Sequence, residues 1–298
     1  MTNLKSFIAA PSTNIASIIV FISASFWGLY WIPLRYLEEQ GIAGGWAIAL
    51  LNLPAGLLLV PFTIWQWKQH REHIWHCVLI GVLTGLGIAL YTSGLVYSSV
   101  VRVTLLFYLT PAWATLIGIV WLGEKATWQR WAAIAISLAG LGLLVSGGGS
   151  VPLNMGDLFA LLSGVFWAIG SAFIKRYNSV PLPGMTLLQF VFTALFAVLI
   201  GFLMGGINPP SLTIAISALP LSVLISVFIL LPSVVVIFWV QKFLFPGRVG
   251  LLMMSEVLMA VLTASIFLPE EAMSLIAWFG AFLIIAACFI EVFSGASE

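Results

Sequence analysis

The sequence predicts an all-α membrane protein of ten transmembrane helices, arranged as two inverted repeats of five. Three observations carry this: the composition, the spacing of apolar runs, and a degenerate internal repeat. Of 298 residues, 62% are hydrophobic and 7% charged, against roughly 45–50% apolar and about 25% charged in an ordinary soluble domain. A water-soluble fold of this size needs a charged surface, whereas a helix in lipid keeps its surface apolar and pairs its backbone polar groups internally. With 11 Lys+Arg against 10 Asp+Glu, no basic face is available to follow a phosphate backbone, and nucleic acid is not an expected partner.

Apolar runs long enough to cross a bilayer predict spans at Ile15–Leu37, Gly44–Trp67, Ile74–Tyr97, Val101–Leu122, Trp128–Ser146, Gly156–Tyr177, Gly184–Gly205, Pro220–Phe243, Val249–Leu268 and Ser274–Phe293. The first run exceeds the core of a signal peptide and reads as a retained span. In this topology Lys5, Lys68, Arg71, Lys125, Arg130, Lys175, Arg176, Lys242 and Arg248 fall on the N-terminal side, and only Arg35 and Arg102 fall opposite. By the positive-inside rule both termini are expected in the cytoplasm. Cys77 and Cys288 each lie in an apolar run, far apart, and read as buried free thiols, not a disulfide framework.

The stretch SGGGSVPLN at Ser146–Asn154 is a linker by composition at the chain's midpoint. It divides a first five-helix repeat at 1–146 from a second at 156–298, with 147–155 as the linker. Ser23 matches Ser163, Phe26 matches Phe166, Trp27 matches Trp167 and Arg35 matches Lys175 at an offset of 140, while Arg102 meets Arg248 and Glu124 meets Glu270 at 146. Five helices is an odd number, so the second repeat enters the membrane from the opposite side. Inverted repeats of this kind recur in secondary transporters, where one bundle rocks against the other around a midplane site.

Three stretches resemble a known family: FWG at Phe26–Gly28 with Arg35 after it, the run from Gly94 to Glu124, and GDLFALLSGVFWAIGSAFIKR at Gly156–Arg176. The chain is similar over essentially its whole length to the drug/metabolite transporter superfamily, to its EamA-type branch, and within that to YddG-like exporters of aromatic amino acids. The resemblance implies a bacterial inner-membrane exporter with a central cavity lined by helices 1, 3, 4, 6, 8 and 9, and helices 5 and 10 as outer supports. The expected function is export of aromatic or other hydrophobic amino acids and related metabolites. An intramembrane enzyme, a passive pore and a multidrug or other metabolite exporter are the alternatives. One departure stands out: Val257 occupies the position corresponding to Pro111, so the second repeat is expected to be less kinked there.

Trp27 and Trp167 lie well inside their helices, where an indole can stack on an aromatic ligand; packing in the core and anchoring at the interface are the other readings. Tyr30, Tyr91, Tyr97 and Tyr108 need hydrogen-bond partners if buried. Tyr91 and Tyr108 are the preferred lining residues, Tyr30 joins them as a candidate, and Tyr97 reads as structural. Trp239 is a weaker candidate, equally readable as packing. Glu256 stands alone in the apolar run LLMMSEVLMAVLTA; an ionised carboxylate near the bilayer centre costs about 2.5–3.5 kcal/mol on insertion scales, so it should face the protein interior. It either bonds a neighbouring hydroxyl or meets a substrate ammonium. Pro111 and Pro232 interrupt helices 4 and 8, Asn52 lies beside Pro54, and Gly81, Gly85 and Gly87 should permit close helix approach. His70, His73 and His76 read as solvated interfacial imidazoles, with a metal site beside Cys77 as the sharper alternative. Neither HExxH nor a phosphate loop is present, so no cofactor is expected. The expected partners are a small-molecule substrate and the lipid bilayer, with a monomer as the simplest assembly.

Overall fold

The computed structural model describes residues 12–146, 153–205, 208–268 and 274–294. The linker centre, Lys5, Glu270 and Glu271, and the side chain of Cys288 lie outside the described residues. The segments are α1 Thr13–Trp27, α2 Trp31–Glu39, α3 Gly44–Trp65, α4 Trp67–Glu72, α5 Ile74–Tyr97, α6 Val100–Phe107, α7 Thr110–Leu122 and α8 Trp128–Ser146. There follow α9 Met155–Arg176, α10 Leu182–Leu203, α11 Leu212–Ile225, a π-helical turn at Ser226–Leu230, α12 Leu231–Gln241, α13 Pro246–Leu252, α14 Ser255–Phe267 and α15 Leu275–Ser294. Seven helical stretches are long and apolar enough to cross a membrane, and Thr110–Leu122 and Leu275–Ala287 are shorter apolar helices. The protein is therefore an all-helical membrane protein with seven to nine apolar spans among the described residues.

Between helices in lipid the hydrophobic effect supplies little, so close backbone approach and buried polar contacts must hold the bundle together. The glycines of α5 do this as expected. Gly81 and Gly85 lie against Leu188, Gln189 and Phe192 of α10, and Gly87 lies against the backbone of Trp167 in α9. Gln189 donates to Thr193 at 2.9 Å, and Thr193 donates to the Gly85 carbonyl at 3.3 Å. On the far side of the bundle, Ser226 accepts from the Ala55 amide at 2.8 Å and ties the eighth span to α3 beside Pro54.

Two expectations about helix limits need correction. The eighth span begins at Leu212, well before Pro220, because Ser211 caps it by accepting from Ile214 N–H and Pro220 is accommodated inside α11. Reading a proline as a helix start missed that cap. The span around Val257 is interrupted at Met253–Met254 although it has no proline there. The cause is a side chain from the other half: the Tyr108 hydroxyl donates to the Met253 carbonyl at 2.6 Å, and the local backbone tightens to three-residue bonds, Glu256 N–H to Met253 O and Val257 N–H to Met254 O.

The loop ends are closed by cations. Arg102 pairs with buried Asp157, which also accepts from Ser98 and closes a capping box with Asn154. At the other end Lys175 donates to the Phe243 carbonyl and Lys242 to the Val180 carbonyl, two reciprocal clasps between the α9–α10 and α12–α13 corners. His70 is buried, not solvated as expected: Gly184 N–H donates to its Nε2 at 2.9 Å, and its Nδ1 sits 2.8 Å from the Gln66 carbonyl. His73 instead meets Ser179, and His76 packs on Tyr177. Among the described residues no group of three or more His, Cys, Asp or Glu is placed to hold a metal.

Lys242 lies just past the end of the Leu212–Gln241 span, and burial pushes its pKa down to about 8 from 10.5. Between those values the unfolded chain holds a proton that the folded chain has released, so stability rises with pH across that window; below it both states are protonated and the burial penalty on the amine is fully felt. The thermal midpoint of the purified protein in detergent should therefore rise more between pH 8 and pH 10 in the wild type than in Lys242→Met. Parallel pH profiles for the two proteins would refute the assignment.

Candidate functional site

Three helix interruptions converge on Glu256. The first span breaks at Gly28, Leu29 and Tyr30, the fourth at Tyr108 and Leu109, and the ninth at Met253 and Met254. Gly28 is required here: a Cβ at this position would collide with the Glu256 carbonyl oxygen and crowd Met259 and Ala260. Two further bonds fix the first span to α14. Ser255 donates to the Phe21 carbonyl at 2.7 Å, and Trp31 Nε1 donates to Thr263 at 3.0 Å.

Glu256 stands in the first turn of α14 and is fully buried. The N–H groups of Glu256 and Val257 are taken by the Met253 and Met254 carbonyls, so it is the aligned peptide dipoles of the helix, not free donors, that favour a carboxylate in that turn. Its Oε2 lies 2.6 Å from the Tyr108 hydroxyl, whose single proton is shared between this oxygen and the Met253 carbonyl at the same distance, while Oε1 has no hydrogen-bond partner among the described residues. Tyr108 packs edge-on to Phe107 with centroids 5.1 Å apart, and Phe107 packs on Tyr91 at 4.8 Å. The Tyr91 hydroxyl pairs with Thr104 at 3.3 Å. Beside the first break, Trp27 stacks on Tyr30 with ring planes 10° apart and centroids 5.5 Å apart. Asn52 donates through one amide nitrogen to the Tyr30 hydroxyl at 3.2 Å and to the Ile48 carbonyl at 2.8 Å, leaving its Oδ1 without a partner among the described residues.

Of the residues singled out from sequence, Tyr108 and Glu256 are thus in direct contact, Tyr91 packs on them through Phe107 and also faces the Glu256 carboxyl, and Trp27 and Tyr30 form a second pair at the break that touches Glu256 through Gly28. Trp167 packs on Phe238 with centroids 6.1 Å apart, and Trp239 packs on Phe243 at 5.7 Å; neither has a ring contact with the Glu256 cluster among the described residues. Trp27, Tyr30, Tyr91, Tyr108 and Trp167 are each no more than 4% exposed, so these rings are packed against protein in this conformation and do not face an open channel; Trp239 is half-buried. Asn52, Thr104, Phe107 and Gly28 complete the cluster. The sequence held a signal for two of them: Thr104, Phe107 and Tyr108 stand three and four apart, which puts them on one helical face.

Broken helices with polar side chains gathered at the breaks, in a chain with seven to nine apolar spans, define a multi-pass membrane protein built around an internal polar site. Two stretches, 14–146 and 154–293, match the EamA-like transporter family, and the chain belongs to that family. It is 26% identical over 201 residues to the uncharacterized transporter YvbV of Bacillus subtilis (strain 168), a match that spans 64% of this chain and 64% of that relative's length. A solved crystal structure superposes with a TM-score of 0.71 at 18% identity, over 94% of this chain and 96% of that one, which establishes likeness of fold. The chain is accordingly a multi-pass member of this family, with its two family-matched halves on either side of the 147–153 segment.

The packing of Gly28 on Glu256 can be tested without knowing the substrate. Gly28→Ala forces either the break or α14 to shift, and overpacking of this kind costs about 1–3 kcal/mol. Gly142, in α8, has open space where a methyl would stand, with nothing within 4 Å, and Gly142→Ala should be neutral or stabilising by about 0.5–1 kcal/mol. Thermal midpoints in detergent should therefore move down for the first substitution and stay level or rise for the second; equal midpoints would show that the contact is slack.

Proposed function

We propose that the protein is a secondary transporter that exports aromatic and other hydrophobic amino acids, and related metabolites, by alternating access between two inverted five-helix repeats. The observation that carries the substrate class is the character of the two unpartnered atoms in the cluster. Glu256 Oε1 and Asn52 Oδ1 are both buried acceptors, and an ammonium group is a donor with no acceptor of its own. The rings of Trp27, Tyr30, Tyr91 and Tyr108 offer an apolar side chain the stacking surface that such a substrate needs, at about 0.5–1.5 kcal/mol per aromatic pair beyond burial. Discrimination between side chains differing by a methylene is worth only about 1–3 kcal/mol. Selectivity should therefore be broad among apolar amino acids.

The inverted repeat is supported by contacts that the two halves make in the same way. Ser17 and Asp157 stand 140 apart, as Trp27 and Trp167 do, and Arg102 and Arg248 stand 146 apart. Arg102 binds Asp157, and Arg248 binds Ser17 through Nε at 3.1 Å and a terminal nitrogen at 3.0 Å. The start of the fourth span is thus joined to the start of the sixth as the start of the ninth is joined to the start of the first. The bias of Lys and Arg toward the N-terminal side supports a cytoplasmic position for both termini.

With protein reconstituted into liposomes, efflux of radiolabelled phenylalanine or tryptophan should saturate, leave the substrate chemically unchanged, and be inhibited by unlabelled leucine and methionine. A modified product would identify an enzyme, and unsaturable flux a pore. Glu256→Gln keeps shape and hydrogen bonding but removes the charge. Loss of a charge-assisted contact of about 1.5–3 kcal/mol should weaken apparent affinity roughly ten- to hundredfold. A normally folded Glu256→Gln protein with wild-type rate, affinity and pH dependence would leave the carboxyl with a structural role alone.

A further inference from the structure

A groove of about 490 Å³ runs between α2 and the α11 helix, lined by Ile32, Pro33, Leu37, Ala218, Leu221 and Ile225, with Tyr36, Gln40 and Ser217 at one end. None of the residues around Glu256 lines it. Both walls are the halves of their spans that lie away from the N-terminus: α2 follows the Gly28–Tyr30 break, and α11 precedes the π-helical turn at Ser226–Leu230. From Ser217 to Ile225 the groove follows eight residues of helix, a depth of about 12 Å at 1.5 Å per residue.

The chemistry of the walls is graded along that depth. Gln40 is exposed at the end of α2, and Ser217, more than a turn inside α11, is exposed with its hydroxyl donating to the Ile214 carbonyl at 2.8 Å; below them the surface is aliphatic down to Ile225. The outer face of α11 exposes Ile216, Leu219, Val223, Leu224 and, in the next turn, Phe228, so the groove opens onto a surface that only lipid can solvate. An occupant that arrives from lipid, keeps an apolar body inside and leaves a polar group at the membrane boundary is an amphiphile lying parallel to the helices. The groove is also held open from its floor. Trp31 bonds Thr263 of α14, and Ser226 bonds Ala55 of α3, so the deep ends of the two walls are fastened to different neighbours and cannot close on each other by a local side-chain change.

We propose that this groove is a site for one acyl chain of a membrane phospholipid, drawn from the leaflet on the side away from the N-terminus, with the head group at the Gln40 end. Because each wall begins or ends at a helix interruption, the chain fills the seam between two segments that can pivot relative to the Glu256 cluster. The site rests only on the membrane-spanning character of the protein, and it stands whether or not the substrate is an amino acid.

The test is native mass spectrometry of the full-length protein released from detergent. After exhaustive delipidation, titration of the wild type with lyso-phosphatidylglycerol, which has a single acyl chain, should saturate at one tightly held molecule per protein. Ala218→Trp places an indole in the groove and should reduce retention of that molecule at least tenfold. Leu224→Trp puts the same bulk on the exposed face of the same helix and should retain it as the wild type does. Retention without saturation, or equal retention by all three proteins, would identify ordinary surrounding lipid and overturn the proposal. Wild-type saturation makes the result independent of whether Ala218→Trp folds, since failure of the wild type to hold one molecule overturns it directly. Two other outcomes also overturn it: displacement of the lipid by phenylalanine, which would assign the groove to substrate, and a dimer that dissociates in Ala218→Trp, which would assign it to a second copy of the chain.

Discussion

The structure depends on one constraint: in lipid, a helix can be interrupted only where protein supplies partners for the backbone groups the interruption frees. Each of the three breaks around Glu256 meets that condition with three-residue bonds inside its own span, and at one of them a side chain from another break adds to these. The Met253 carbonyl, which accepts from the Glu256 N–H, also lies 2.6 Å from the Tyr108 hydroxyl, and Tyr108 is itself at the break in the fourth span. The break in the first span has no room for a side chain at Gly28 because the Glu256 carbonyl is there. The polar site is therefore a consequence of how the helices are broken, and its position is fixed by backbone satisfaction before any substrate is considered.

That dependence explains why a carboxylate can be kept at this depth. A lone charged group inside a membrane protein is tolerated where it has fixed dipoles and a hydrogen-bond donor. Glu256 has both: the first turn of α14 and the phenol of Tyr108. The aromatic rings around it exclude water, which strengthens any charge interaction made there. Asn52 belongs to the same set of groups. Its amide nitrogen is used by Tyr30 and the Ile48 carbonyl, and it holds the phenol of Tyr30 beside Trp27 while its carbonyl oxygen stays unpartnered among the described residues.

Much of this fold was legible in the sequence because hydropathy over twenty residues is set by composition, and Ile74–Tyr97 and Trp128–Ser146 coincide with their expected limits. The glycines of α5 were legible for a related reason, since close approach in lipid needs small side chains whatever the neighbour. The errors fall where a distant group decides the local structure. Pro220 looks like a helix start until the Ser211 cap is seen, and Val257 looks like the middle of a continuous helix until Tyr108 takes the Met253 carbonyl. His70 looks solvated because its partner, the amide of Gly184, is over a hundred residues away. At the site, residue type pointed to Tyr108 and Glu256 but could not pair them. It also grouped Trp167 and Trp239 with residues that the packing keeps apart, since aromatic rings at membrane depth serve packing as readily as recognition.

The two family-matched halves make their equivalent breaks by different means, and the difference ties them together. Pro111, just past the break in the first half, lacks an N–H and so favours an interruption from within its own helix. At the equivalent place the second half has Val257, which imposes nothing, and its interruption is held by a hydroxyl that the first half provides. The same hydroxyl is the partner of Glu256. A motion of one half against the other that separates Tyr108 from α14 takes the phenol from the carboxyl, while the Met253 carbonyl keeps the Glu256 N–H. A ligand bearing hydrogen-bond donors can compensate that loss, and one without donors cannot.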